Sequence, residues 1–162
     1  MNSDYFIAIA DDDEIIHSYI KTLFSKVNNH ITFLDFFNGT DLLDYLHNSD
    51  NIVPDLVLLD LHMPNQSGFE VLEQLNFEHR LKDLLIIIFS TTIDAKDIMT
   101  AFKFSVKFLS KDSSQDKLID IFDKIVSMAD AKRTLAALKR EKEVMFSKSQ
   151  SGTTIAYIPG EE

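Results

Sequence analysis

Short apolar runs alternate with amphipathic helical segments along roughly the first 125 residues. A short apolar run bounded by turn residues predicts a buried strand, and its alternation with helices predicts βα units on a parallel sheet. The predicted strands are residues 5–10, 31–36, 55–60, 84–89 and 106–110, and the predicted helices are about 13–28, 39–48, 68–78, 95–104 and 114–128. This pattern favours an α/β fold, a doubly wound five-stranded parallel sheet of flavodoxin-like (βα)5 architecture.

Reactive side chains follow three of these strands at the point where each strand ends. Asp60 follows the apolar residues 56–59, a triplet of aspartates (residues 11–13) follows the first strand, and Ser90 follows the fourth. The carboxyl ends of parallel strands meet at the edge where open α/β sheets bind ligands. We therefore expect these side chains to lie close together.

The clustered carboxylates are suited to a hard divalent cation. Mg²⁺ prefers octahedral oxygen ligands, and two aspartates of the first strand together with Asp60 meet that requirement. A carboxylate can also act as a nucleophile toward a phosphoryl group, and Asp60 is the candidate. Helix capping is the alternative explanation for the triplet, because acids favour the start of a helix; it accounts fully for Asp13 and stays open for Asp11 and Asp12.

Lys111 ends the predicted fifth strand and is placed to supply a positive charge at the same edge. Ser90 can donate its hydroxyl to a phosphoryl oxygen. Each residue alone is a weak signal, because a serine or lysine after a strand is usually a turn or solvated residue, but their joint position indicates a site. Four of the five histidines show no ligand spacing and are expected to be surface or partly buried residues: His17, His30, His47 and His79.

Composition excludes several classes of site and partner. The net charge of −10 argues against direct nucleic-acid binding, which depends on lysine and arginine neutralising phosphates. The absence of cysteine excludes disulfides and thiolate metal sites. No apolar stretch approaches the ~20 residues that span a bilayer, and the N-terminus lacks the basic and apolar regions of a signal peptide. We therefore expect a cytoplasmic protein without membrane insertion.

The composition changes near residue 129, so we predict a domain at residues 1–129 and a helical extension and tail at 130–162, with no recognised output domain. Gly and Pro are absent from 113 through 151, so the fifth helix can continue. Six positions there recur at coiled-coil-like spacings, and all but the lysine are apolar: Met128, Ala131, Leu135, Leu138, Lys142 and Met145. For the helical extension, packing back on the domain and a homodimer seam both stay open. For the β-type residues 153–158, addition to a sheet edge and disorder both stay open.

Together these residues resemble the receiver domain of two-component response regulators over roughly residues 4–129. The matching elements occur in order: Asp11-Asp12, Asp60-x-x-Met63-Pro64-x-x-x-Gly68, Ser90 and Lys111. The resemblance implies that Asp60 accepts a phosphoryl group from a sensor histidine kinase or a phosphotransfer protein. It implies that Mg²⁺ is held directly by Asp12 and Asp60, through water by Asp11, and by the backbone carbonyl of His62. Lys111 would pair with the phosphoryl group.

The resemblance also implies a switch made of Ser90 and Phe108. Their movement would remodel the face formed by the fourth helix, fifth strand and fifth helix for a downstream protein partner. Such a receiver is a signalling module, not an enzyme, and catalyses only its own phosphorylation and dephosphorylation. The chain departs from the family pattern with Asp112 where a proline usually follows the lysine, and with Thr91 where a small residue usually follows the hydroxyl.

Three alternatives differ from a phosphorylated receiver. A Mg²⁺-dependent aspartyl-phosphate phosphatase would place a second acid two residues after the nucleophile, where this chain has His62. A flavodoxin would need to hold a phosphate in its first loop, where the aspartates at 11–13 would repel it. A degenerate receiver acting as a phosphate-independent interaction module stays open because of Thr91 and Asp112.

Overall fold

The computed structural model describes residues 5–28, 30–91 and 94–150, with side chains described up to residue 140. The elements are β1 (Tyr5–Ala10), α1 (Glu14–Ser25), β2 (Ile31–Phe36), α2 (Gly39–His47), β3 (Leu56–Leu59), α3 (Gly68–Leu75), β4 (Leu85–Ser90), α4 (Ala95–Lys103), β5 (Lys107–Ser110) and α5 (Gln115–Gln150). The strands pair in parallel in the order β2-β1-β3-β4-β5. The predicted flavodoxin-like sheet is therefore confirmed.

The strand order reverses between β1 and β3, which makes their carboxyl ends a topological switch point. Ala10 and Leu59 are register partners there, and the amide of Asp60 donates to the carbonyl of Ala10 at 2.8 Å. The amide of Asp11 donates to the carbonyl of Phe36 at 3.0 Å. The sheet hydrogen bonds therefore continue into the first residue after each strand and hold both acids at one edge.

The two faces of the sheet are covered by different helices. On one face, Phe24 of α1 stacks on Phe122 of α5 with ring centroids 4.0 Å apart, a contact worth about 0.5–1.5 kcal/mol beyond the buried area. On the other face, α2, α3 and α4 contribute Leu42, Leu72 and Ala101 to a core cluster with residues of β1, β3 and β4. Because both faces are covered, the central strands tolerate continuous apolar sequence.

Two sequence predictions about helices are wrong in detail. The apolar spacing of α1 predicts a sheet-facing stripe formed by Ile15, Ile16, Tyr19, Ile20, Leu23, Phe24 and Val27. However, 76% of the Ile15 side chain is exposed, whereas His17 is buried beside Ile20 and Phe24. The third helix ends at Leu75, earlier than predicted, and a 3₁₀ turn follows at His79–Leu81. The helix starts follow capping rules: Ser67 and Glu70 form a capping box at α3.

The fifth helix runs to Gln150 without interruption, in accord with the absence of Gly and Pro. The chain divides into two compact units, Met1–Val126 and Ser127–Glu162. Of the predicted seam, Met128, Leu135 and Leu138 are exposed, the side chains at 142 and 145 are outside the described set, and residues 153–158 lie outside the described residues. Within the described residues, no helix is both long and apolar enough to cross a membrane.

The start of α3 lies against the backbone that carries Asp60. A Cβ atom on Gly68 would lie 2.3 Å from the carbonyl oxygen of Asp60 and 3.0 Å from the Cα of Leu61. The Gly68 amide donates to the Leu61 carbonyl at 3.1 Å, so the two segments are already in hydrogen-bond contact. Since the obstructing atoms belong to the backbone, a side chain cannot be accommodated by a rotamer change.

Gly68→Ala should therefore lower the free energy of unfolding by about 1–3 kcal/mol or more, because the added methyl group overpacks a backbone contact. Denaturant unfolding measures this effect. Gln74→Ala is the matched control, since Gln74 is an exposed position in the same helix and its truncation should change stability by no more than about 0.5 kcal/mol. Equal stability of Gly68→Ala and the wild type would contradict the close approach.

Candidate functional site

Three carboxylates converge at the carboxyl edge of the sheet. Asp11, Asp12 and Asp60 each offer an oxygen atom, and these atoms all lie within 4.8 Å of one another. Asp11 and Asp60 are buried, with 1% and 5% of their surfaces exposed, whereas Asp12 is open to solvent. The structure thus brings together the acids that the sequence placed after two separate strands.

Lys111 lies directly against this acidic cluster. Its Nζ is 2.5 Å from Oδ2 of Asp11 and 3.5 Å from Oδ2 of Asp60. Only 10% of the lysine side chain is exposed, and its backbone amide donates to the carbonyl of Ser90 at 3.0 Å. The end of β5 therefore delivers one ammonium group to both buried carboxylates.

The surroundings of Asp11 disfavour its ionised form relative to that of a free aspartate. Burial raises the pKa of Asp11, hydrogen bonds from Lys111 and from the amide of Asp13 oppose that effect, and the nearby charge of Asp60 adds to it. The net result is a pKa above the ordinary value for an aspartate. Since a second positive charge at this carboxylate would favour the ionised form, the local environment is suited to a cation.

The three consecutive aspartates have separate contacts. Asp13 is the N-cap of α1, and its side chain accepts from the amide of Ile15 at 2.8 Å. The capping explanation therefore applies to Asp13. Asp11 contacts Lys111, and Asp12 belongs to the carboxylate cluster.

Ser90 and Phe108 lie on the neighbouring strands β4 and β5. Ser90 is fully buried, and its Oγ has no hydrogen-bond partner within the described part of the chain. A buried hydroxyl left unpaired costs about 1–3 kcal/mol, so a ligand oxygen that accepted from it would relieve that cost. Phe108 is partly buried and packs against the core cluster formed with α2, α3 and α4.

His62 and the two positions that depart from the family pattern, Thr91 and Asp112, lie at the surface. The side chain of His62 is 55% exposed, and its Nε2 is 3.9 Å from Oδ2 of the buried Asp97. Thr91 and Asp112 are exposed, and the Asp112 amide donates to Oγ of Ser110 at 3.1 Å. Thr92 lies outside the described residues.

Sequence reasoning missed His17, which was expected to be a surface or partly buried residue. Only 2% of His17 is exposed, and its Nε2 lies 2.8 Å from the backbone carbonyl oxygen of Asp11. Its spacing from Ile20 and Phe24, three and seven residues on, was the available signal, because it puts the ring on the buried face of α1.

The chain is similar to known proteins over most of its length. The family model for the response regulator receiver domain matches residues 7–123. Chemotaxis protein CheV2 of Helicobacter pylori is 40% identical over 93 residues, covering 56% of this chain and 29% of that protein. The nitrate/nitrite response regulator NarL of Escherichia coli is 31% identical over 116 residues, covering 70% of this chain and 50% of that protein. The chain thus spans half or less of these two relatives.

A solved structure has the same fold. The Mn²⁺-bound form of response regulator Rcp1 superimposes with a TM-score of 0.66 at 20% identity, covering 76% of this chain and 92% of that one. The family match extends over more than half of the chain and includes Asp11, Asp12, Asp60, Ser90 and Lys111. The chain belongs to the response regulator receiver domain family.

Proposed function

We propose that Asp60 accepts a phosphoryl group from the phosphohistidine of a sensor histidine kinase or phosphotransfer protein. The observation that carries this proposal is the contact of Lys111 with Asp60 and Asp11 at the edge where Asp12 also lies. A carboxylate oxygen of Asp60 would form the new P–O bond while the P–N bond to the donor imidazole breaks and its electron pair leaves with the nitrogen. Lys111 would stabilise negative charge on the transferring oxygens.

The described residues fit a divalent cation of the Mg²⁺ type. The donor set is three carboxylate oxygens close enough to share one ion, which are the hard ligands Mg²⁺ prefers. We assign Asp12 and Asp60 as direct ligands, Asp11 as a ligand through water, and the backbone carbonyl of His62 as a further ligand. When bound, Mg²⁺ would offset charge on the transferring phosphoryl group.

Ser90 and Phe108 are proposed as the switch that reports phosphorylation. The unpaired, buried Oγ of Ser90 is available to donate to a phosphoryl oxygen. Phe108, on the adjacent strand, is partly buried against the core cluster, and in the proposed switch its ring would turn inward. The exposed apolar residues Ile98, Met99 and Phe102 on α4 supply a surface that a downstream protein partner could contact. The readout is therefore proposed to be a protein interaction, without direct nucleic-acid binding.

The alternatives are less well supported. An aspartyl-phosphate phosphatase needs an acid where His62 stands, and that side chain is largely exposed beside Asp97. A phosphate-independent receiver is suggested by Thr91 and Asp112, but both of those side chains are exposed. The carboxylates and the lysine needed for phosphoryl transfer are all at the sheet edge.

For the rest of the chain, we infer a receiver domain at residues 1–129 and a helical extension and tail at 130–162. The exposed apolar residues Met128, Leu135 and Leu138 support a homodimer through this extension. The cytoplasmic location predicted from the sequence stays a prediction.

Incubation of the protein with Mg²⁺ and a small phosphodonor should add the mass of one phosphoryl group, because Asp60 is the proposed nucleophile. Intact mass spectrometry measures the product. Asp60→Asn should gain nothing, whereas Asp44→Asn, an exposed aspartate on α2, should be phosphorylated like the wild type. No gain by folded wild-type protein, or an equal gain by Asp60→Asn, would reject Asp60 as the acceptor.

Asp11→Asn should be at least as stable as the wild type at pH 7 without Mg²⁺. The pKa of Asp11 is raised in the folded state, so its ionised form costs stability above that pKa. This cost disappears as the pH falls through the pKa of Asp11 in the folded state toward its pKa in the unfolded chain, which is about 4. The advantage of Asp11→Asn measured by denaturant unfolding should therefore shrink near that pH.

Mg²⁺ should stabilise the wild type in the same unfolding experiments, since a ligand that binds only the folded state raises its stability. Asp11→Asn should gain much less. Asp13→Asn is the matched control, because asparagine also caps helices well, and its response to Mg²⁺ should equal that of the wild type. Equal Mg²⁺ stabilisation of Asp11→Asn and wild type would show that Asp11 is not part of the cation site.

The 162-residue chain should be a dimer by light scattering, because the apolar positions of the extension would pair between chains. Changing Leu135 and Leu138 together to lysine should give a monomer. Changing the exposed neighbours Thr134 and Ala137 to lysine is the matched control and should leave the dimer intact. A monomeric wild type would rule out the seam.

A further inference from the structure

His17 is a buried histidine that the proposed chemistry does not use. Both of its ring nitrogens face oxygen acceptors: Nε2 is 2.8 Å from the backbone carbonyl of Asp11, and Nδ1 is 2.7 Å from Oδ1 of Asp35. The ring is almost fully buried, so water is not available to replace a lost partner. A ring held at both nitrogens therefore has one orientation.

The surroundings of His17 hold this orientation from two further directions. Oδ2 of Asp35 is 2.5 Å from Nζ of Lys21. Burial acts to raise the pKa of Asp35, but hydrogen bonds from Lys21 and His17 outweigh it and lower that pKa, so this carboxylate is ionised at neutral pH. The face of the imidazole stacks on Phe37 with centroids 4.6 Å apart.

The ring nitrogen Nε2 of His17 contacts the peptide group that joins Asp11 to Asp12. A peptide unit is planar, so a fixed Asp11 carbonyl also fixes the direction of the Asp12 amide and of the chain that follows. The other polar groups of Asp11 are also occupied: its amide by Phe36, and its carboxylate by the amide of Asp13 and by Lys111. The carboxylate of Asp12 is exposed, so its position follows from this backbone.

We propose that His17 is a positioning residue that orients the carboxylates of Asp11 and Asp12 toward Asp60. It acts through the Asp11 peptide group and touches neither the cation nor the phosphoryl group. Asp35 of β2 contacts Nδ1 of His17. The strand next to β1 therefore also helps to fix the segment that carries Asp11 and Asp12. This inference rests on the proposed function, because it concerns the same carboxylates.

His17→Phe is the informative variant, because it keeps an aromatic ring against Phe37 and removes both ring nitrogens. The dissociation constant for Mg²⁺, measured by calorimetry, should rise about 10–100-fold, as is typical when a residue that orients metal ligands is lost. In metal-free protein, amide hydrogen exchange at Asp12 and Asp13 should become faster. His47→Phe, a partly exposed position at the end of α2, is the matched control and should leave both measurements unchanged.

A folded His17→Phe protein with wild-type Mg²⁺ affinity would overturn the inference and leave the proposed function intact. A merely structural histidine would give that result together with a lower free energy of unfolding. If His17→Phe does not fold, Asp35→Ala decides: it removes the Nδ1 partner at a partly exposed position and should weaken Mg²⁺ binding in the same direction. Unchanged affinity in Asp35→Ala would then overturn the inference.

A wild-type protein that binds no Mg²⁺ would instead contradict the proposed function. The two failures are therefore distinct, since one is seen in the wild type and the other only in the variants. If the wild type binds no Mg²⁺, the amide exchange rates of Asp12 and Asp13 in metal-free protein still decide whether His17 orders the backbone after β1. Unchanged rates in folded His17→Phe would refute the positioning role.

Discussion

The contact of one ammonium group with two buried carboxylates is the interaction on which the site depends. Asp11 and Asp60 are buried, and their carboxylate oxygens lie within 4.8 Å of one another, so an opposing charge is needed to offset the repulsion between them. Lys111 supplies that charge from the end of β5. The three residues directly follow three different strands, β1, β3 and β5, so the parallel order of the sheet is needed to bring them into contact.

This dependence explains why so much of the site could be predicted from the sequence. Apolar runs identify parallel strands, and the carboxyl ends of parallel strands meet whatever the packing between the helices. Asp60, Ser90 and Lys111 can therefore be grouped from the sequence alone. The bounds of β1 and β2 agree with the prediction, because each strand is a short run with clear turn residues on both sides.

Other features depended on contacts that sequence periodicity does not contain. Counting apolar residues placed Ile15 on the buried face of α1, whereas His17 takes that place because Asp35 and the carbonyl of Asp11 satisfy its nitrogens. Those acceptors come from different elements, so a single helix pattern cannot reveal them. Similarly, the end of α3 at Leu75 is set by the turn that follows it rather than by an obvious helix-breaking residue.

The position of Lys111 has a consequence for the proposed binding of a divalent cation. Its Nζ contacts Asp11 and lies near Asp60, so a divalent ion at that site would compete with an ammonium group of the protein itself. This ammonium group belongs to the folded chain and would stay nearby when displaced. Occupancy of the site would therefore be an exchange between two cations, and it would follow the free concentration of the divalent ion.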